Sequence, residues 1–114
     1  MPVEDPGEAP AVRSVIALCG SMRFREEFER LDAGLTLAGH VVLKPAAVDP
    51  SGELDADERA RLRRVHLAKV EMADEVLVVN VGGYVGESTR LEIEHARSRG
   101  TPVRFLEPQG TDVA

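Results

Sequence analysis

The sequence has 114 residues, 43% apolar and 30% charged, which suits a single domain with one core and argues against global disorder. Its formal net charge of −6 lacks the basic footprint needed to coat a nucleic-acid polymer, and its single cysteine, Cys19, excludes an intrachain disulfide or a cysteine zinc cluster. No apolar run is long enough to span a membrane and the amino terminus does not read as a signal peptide, so a reducing cytoplasm is the expected location.

Residues 1–11 carry Glu4, Asp5, Glu8 and three prolines without periodicity and are expected to be a flexible acidic tail. Residues 12–107 are expected to form a single α/β nucleotide-binding domain, and residues 108–114 a second flexible tail. Within the domain, Ser14 to Cys19 is a short apolar run closed by Gly20, consistent with a buried strand. Phe24, Phe28, Leu31, Leu35 and Ala38 follow at helical spacing on one face, and Gly39 stops that helix. His40 to Lys44 reads as a second strand and Pro45 to Asp55 as a loop rich in turn residues. Asp55 to Ala73 reads as a second helix, with its acids early and arginines later, as the helix dipole favours. Glu75 to Asn80 is a third strand, Gly82 to Gly86 a tight loop, and Glu87 to Arg99 a third helix ending at Gly100. Thr101 to Leu106 is the last strand, with Pro102 at its start or edge. The order βαβαβαβ predicts a small, doubly wound, mostly parallel sheet of four or five strands, flavodoxin- or Rossmann-like. Ligands of such sheets bind beyond the carboxyl ends of the strands, where strand order reverses.

Three constellations lie at or near those ends. In Cys19-Gly20-Ser21-Met22-Arg23, a glycine admits a ligand close to the backbone and a helix start offers free N–H groups. Ser21 adds a hydroxyl and Arg23 a charge that grips an oxyanion; equally, Ser21 can be a helix cap and Arg23 a solvated surface charge. The loop Gly82-Gly83-Tyr84-Val85-Gly86 makes a second backbone cradle ahead of Ser88. Glu92 lies one turn further on. There Thr89-x-x-Glu92 fits a capping box, while the wheel also puts Glu92 on the flank of a buried stripe of Thr89, Ile93, Ala96 and Gly100. On the second helix, Leu62, Val65, Val70 and Ala73 mark the apolar stripe, and His66 and Lys69 point into its middle. That placement suggests a partly buried site wall with Asp74 or Glu92 as partner. His40 and His95 lack metal-ligand spacing, so neither metal nor cofactor is expected, and Cys19 reads as a small core residue with no base beside it.

Cys19-Gly20-Ser21-Met22-Arg23, Ala73-Asp74-Glu75 and Glu92-Ile93-Glu94-His95-Ala96, in this order, resemble the nucleoside 2-deoxyribosyltransferase-like superfamily, which includes nucleoside 5′-monophosphate N-glycosidases. The resemblance spans residues 13–106. It implies cleavage of an N-glycosidic bond, by hydrolysis or transfer, in a nucleoside 5′-monophosphate or nucleoside. It assigns Gly20, Ser21, Met22 and Arg23, with Gly86 and Ser88, to the 5′-phosphate, and Glu92 to attack on the anomeric carbon. The Gly83 and Tyr84 backbone joins the substrate cradle. His66 stands where the family usually has an aspartate that assists the leaving base, and with Lys69 is expected to act on base or sugar. The family habit of completing each pocket from a neighbouring subunit implies a homodimer. A non-catalytic nucleotide-binding module of this fold is the alternative from another class. The loop Gly82 to Glu92 also loosely resembles that of the cytokinin-activating phosphoribohydrolases.

Overall fold

The structure, a computed structural model, describes residues 11–48 and 52–109. The expected tails at 1–11 and 108–114 lie almost wholly outside the described residues, as do residues 49–51 of the loop after the second strand. Strand β1 runs Val15–Gly20, helix α1 Arg25–Leu37, β2 Val41–Leu43, α2 Ala56–Met72, β3 Glu75–Val79, α3 Glu87–Ser98 and β4 Val103–Phe105. A short 3-10 turn, Met22–Phe24, joins β1 to α1, and another, Val81–Gly83, follows β3.

The four strands pair in parallel in the order β2-β1-β3-β4, so the expected α/β fold with a doubly wound parallel sheet is what forms. The side-chain period of two divides the central strands between two cores. Ile16, Leu18, Leu77 and Val79 meet Phe28 of α1, with Leu31 and Leu35 packed around them. Ala17, Cys19, Val76 and Val78 meet Val70 of α2 and Ile93 and Ala96 of α3 on the opposite face. From β1 the chain steps outward to β2, then crosses back over β1 to β3. The reversal therefore lies between the carboxyl ends of β1 and β3, the crevice where such sheets bind ligands.

Helix ends follow local chemistry. Asp55 caps α2 in a reciprocal box: its carboxylate accepts from the Glu58 N–H at 2.8 Å and Glu58 accepts from the Asp55 N–H at 3.0 Å. Gly39 and Gly100 follow α1 and α3 at φ 102° and 77°, the left-handed conformation that favours glycine. No helix among the described residues is long and apolar enough to cross a membrane.

The carboxyl end of β3 is braced by Asn80, only 1% exposed. Its side-chain amide donates to the Glu107 carbonyl at 3.0 Å and accepts from the Glu107 N–H at 2.9 Å. The Glu107 carboxylate in turn accepts from the Gly82 N–H at 3.0 Å, which ties the segment after β4 to the glycine loop after β3.

Candidate active site

The tip of β1 is built to let something close to its backbone. A Cβ at Gly20 would stand 2.8 Å from the Val79 carbonyl oxygen of the paired strand and 3.3 Å from Phe28, so only glycine fits at this junction. Ser21 then caps the turn that leads to α1, accepting from the Arg23 N–H at 3.2 Å. The hydroxyl therefore does have the capping contact that sequence allowed, and Ser21 also lines the cleft described next.

A cleft of about 520 Å³ opens over this end of the sheet. Gly20, Ser21 and Met22 form one wall, and Tyr84, Gly86, Ser88, Thr89 and Glu92 another. Helix α2 closes the third side with Arg59, Leu62, Arg63 and His66, a stripe at spacings of three and four residues. Pro45, Ala46, Val48 and Leu54 make an apolar end beyond β2.

At the base of the cleft three polar side chains from three elements converge. Cys19 Sγ at the end of β1 is 3.6 Å from His66 Nε2 on α2, and that nitrogen is 3.6 Å from Glu92 Oε1 on α3. The reading of Cys19 as a core residue without a base beside it needs correction: it is fully buried, but the α2 crossover sets an imidazole against it. The nitrogen–oxygen contact is long for a hydrogen bond, and His66 Nδ1 is buried with no partner among the described residues. The imidazole is consequently under-satisfied in a place where polar burial is costly.

Burial sets their protonation. The Glu92 carboxyl, withdrawn from water, is pushed up from 4.5 to about 7, the Cys19 hydrogen bond opposing the shift. Burial, and then the nearby Lys69 charge, push the His66 imidazole down from 6.5 to about 4. Burial, with the Glu92 charge beside it, raises the Cys19 thiol far above its usual range. Near neutrality the cluster thus holds a neutral thiol, a neutral imidazole and a carboxyl poised between its two forms.

The capping-box reading of Thr89 and Glu92 is overturned. Helix α3 begins at Glu87 after Gly86, so Thr89 is already a helical residue and buried, and Glu92 lies in the second turn. Among the described residues, no side chain caps the Gly86 end of this helix. Glu92 is therefore free to face the cleft, and its side chain is 16% exposed.

Other expected positions spread more widely. Lys69 turns from the cleft and donates to the Lys44 carbonyl at 2.8 Å, tying α2 to the end of β2. Val65, assigned to the apolar stripe, is 48% exposed, because the buried face of α2 runs through His66 and Val70. Asp74 partners neither His66 nor Lys69; it accepts from the Val15 N–H at 2.7 Å at the start of β1. The Arg23 guanidinium lies 4.0 Å from the centroid of the Tyr84 ring, behind the cleft wall. Gly82 and Gly83 take the left-handed conformation, at φ 66° and 84°, and Gly83 faces a separate hollow with Asn80, Arg90 and Arg97. Gly86 is tight against Tyr84, whose hydroxyl would lie 3.1 Å from an added Cβ. His40 and His95 are engaged elsewhere, near Ser14 Oγ at 3.1 Å and Glu71 at 2.7 Å. Sequence reasoning missed Arg59 and Arg63, although their spacing from His66 along one helix carried the signal.

Solved structures share this architecture. A 2-deoxyribosyltransferase from the psychrotolerant bacterium Bacillus psychrosaccharolyticus matches with a TM-score of 0.64 and 18% identity, over 88% of this chain and 77% of that one. A conserved protein from Enterococcus faecalis V583 matches with a TM-score of 0.60 and 20% identity, over 87% of this chain and 69% of that one. The chain shares the fold of these two proteins, the parallel α/β fold that the resemblance of its motifs implies. No family model and no curated protein matches the sequence.

Proposed function

We propose, on this fold, that the chain cleaves the N-glycosidic bond of a nucleoside 5′-monophosphate or nucleoside, by hydrolysis or transfer, with Glu92 as nucleophile. The observation that carries the reading is Glu92 itself: a carboxylate in the second turn of α3, uncommitted to a cap, at the base of a cleft beside the reversal of the sheet. Loss of a base leaves positive charge on the sugar, and a carboxylate beneath the anomeric carbon stabilises or bonds to it, as in retaining glycosidases. Water or an acceptor base then releases the sugar. With an ionisation near 7, Glu92 is available as the anion at neutral pH without being strongly solvated.

The cleft's walls divide the remaining work. Gly20, Ser21 and Met22 with Gly86 and Ser88 receive the phosphate, the last two at the free N–H groups that open α3. Arg23 joins them by leaving Tyr84. An exposed cation–π contact is worth about 0.5–1 kcal/mol, less than the roughly 1.5–3 kcal/mol of a hydrogen bond to a charged group. The base occupies the apolar end at Pro45, Val48, Leu54 and Leu62. His66, neutral at working pH, is a poor acid for the leaving base; it serves as a positioning residue that borders the Glu92 carboxylate. Lys69 supports this arrangement from behind, through its bond to the Lys44 carbonyl. The homodimer is retained in this reading, supported by the exposed Val65, Met72 and Leu91 on α2 and α3.

The test is incubation of the protein with a panel of nucleosides and their 5′-monophosphates, with released base measured by chromatography. Base release from at least one member is expected. Calorimetric binding of a monophosphate without release across the panel would make the chain a nucleotide-binding module instead.

A further inference from the structure

We propose that Cys19, His66 and Glu92 form a binding site for a borderline-soft divalent cation of the Zn²⁺ class, entered from the cleft. Their donor atoms, Sγ, Nε2 and a carboxylate oxygen, all lie within 4.8 Å of one another. A tetrahedral zinc ion with bonds of about 2.0–2.3 Å has edges of roughly 3.3–3.6 Å between neighbouring donors. The sulfur–nitrogen and nitrogen–oxygen separations, each 3.6 Å, already match those edges. The third pair, sulfur and carboxylate oxygen, lies within 4.8 Å.

Placement and charge agree with the distances. Each donor comes from a different element, the end of β1, α2 and α3, so the set is held by the packed core and not by a loop. Cys19 lies beneath, while His66 and Glu92 line the cleft, which leaves the fourth position of a tetrahedron facing the cleft. One thiolate, one carboxylate and one neutral imidazole carry two negative charges, which cancel a divalent cation in a site where unbalanced charge is costly. The thiolate selects Zn²⁺ or Co²⁺ over the hard cations Mg²⁺ and Ca²⁺. Binding releases one proton, from the Cys19 thiol, as the sulfur–metal bond forms, and a second from whatever fraction of Glu92 is protonated. On the glycosidase reading, on which this consequence rests, an ion that takes up the Glu92 lone pair silences the enzyme.

The experiment uses the full chain, stripped with a chelator and kept under a non-thiol reductant, titrated with Co²⁺ without substrate. One equivalent is expected to raise a thiolate-to-cobalt charge-transfer band in the near ultraviolet, together with visible bands of tetrahedral intensity, and Zn²⁺ is expected to displace it. Cys19→Ser should abolish the charge-transfer band and weaken binding by at least roughly the 10–100-fold that even outer-sphere changes cost. Cys19→Ala repeats the test should the serine disturb the core. Absence of the band in the wild-type chain, or its persistence in both Cys19 variants, would overturn the site. Base release with and without one equivalent of Zn²⁺ is then compared within each variant. Strong loss is expected in the wild-type protein, with the ratio restored toward one in Cys19→Ser, and equal inhibition of both would refute silencing through this cluster. Because the cobalt spectrum needs no substrate, failure of the metal site and failure of the glycosidase reading are separately visible.

Discussion

The carboxyl ends of the two central strands both bury polar side chains, yet they treat them in opposite ways. After β3, Asn80 spends its donor and its acceptor on the Glu107 backbone at 2.9–3.0 Å, and the Glu107 carboxylate is held by the Gly82 N–H. At the end of β1, His66 stands 3.6 Å from both Cys19 and Glu92, and one of its ring nitrogens lacks a partner among the described residues. A polar group bonded on all sides organises the backbone around it. Groups left wanting partners beside an open cleft hold capacity for a ligand, and their altered ionisation has the same origin.

The largest expected effect separates the two ends by mutation. Glu92→Gln should lower base release by on the order of a thousandfold or more, with no loss of melting temperature, since a neutral amide neither attacks the anomeric carbon nor stabilises its charge. Asn80→Ala should do the converse. Stranding the Glu107 N–H and carbonyl is expected to cost about 2–3 kcal/mol in denaturant unfolding, with turnover per folded molecule retained. If Asn80→Ala abolished turnover while Glu92→Gln unfolded the chain, the contrast would be reversed.

Next in size is a pH effect that the wild-type protein conceals. His66 ionises near 4 when folded and near 6.5 otherwise, so across that window the unfolded chain binds the extra proton and stability rises with pH. Glu92 ionises near 7 when folded against 4.5, so the folded chain binds the extra proton and stability falls as pH rises. Between pH 4.5 and 6.5 the two slopes oppose each other. Melts of single variants across this range should uncover them. Glu92→Gln is expected to gain stability with rising pH relative to His66→Gln, by on the order of 3 kcal/mol at most for each group. Parallel profiles for the two variants would show that burial does not shift these groups. In chelated buffer, base release by the wild-type chain should rise as pH increases through about 7, where Glu92 ionises.

Arg23 carries the smallest effect. Its loss as Arg23→Ala should weaken a nucleoside monophosphate by about 10- to 100-fold in calorimetry and the matching nucleoside far less, the worth of one charge-assisted contact. Equal losses for both would leave Arg23 as a surface cation resting on Tyr84.

The fold was legible because punctuation and periodicity agreed along the chain. Apolar runs ending at Gly20, Lys44 and Asn80, and helices ending at Gly39 and Gly100, read as they fold. Phase within the helices was harder. Capping patterns can be matched at the wrong offset, so Thr89-x-x-Glu92 looked like a box that Gly86 pre-empts, while the true box, Asp55 with Glu58, read only as acidic charge. On α2 the apolar side chain of Val65 suggested burial, but the face toward the sheet carries His66, and the long Lys69 reaches a backbone carbonyl beyond it. The meeting of Cys19 with His66 joins residues 47 apart along the chain, and no local pattern encodes it. It follows from the crossover of α2 above β1.

The claim that Glu92 bonds the anomeric carbon is tested most directly by trapping that bond. Protein turning over a substrate from the panel is quenched in acid, digested and weighed by mass spectrometry. The predicted result is a peptide carrying Glu92 heavier by the sugar or sugar phosphate, absent from Glu92→Gln. A glycosyl adduct on any other residue, or base release by Glu92→Gln at the wild-type rate in the same reactions, would contradict it.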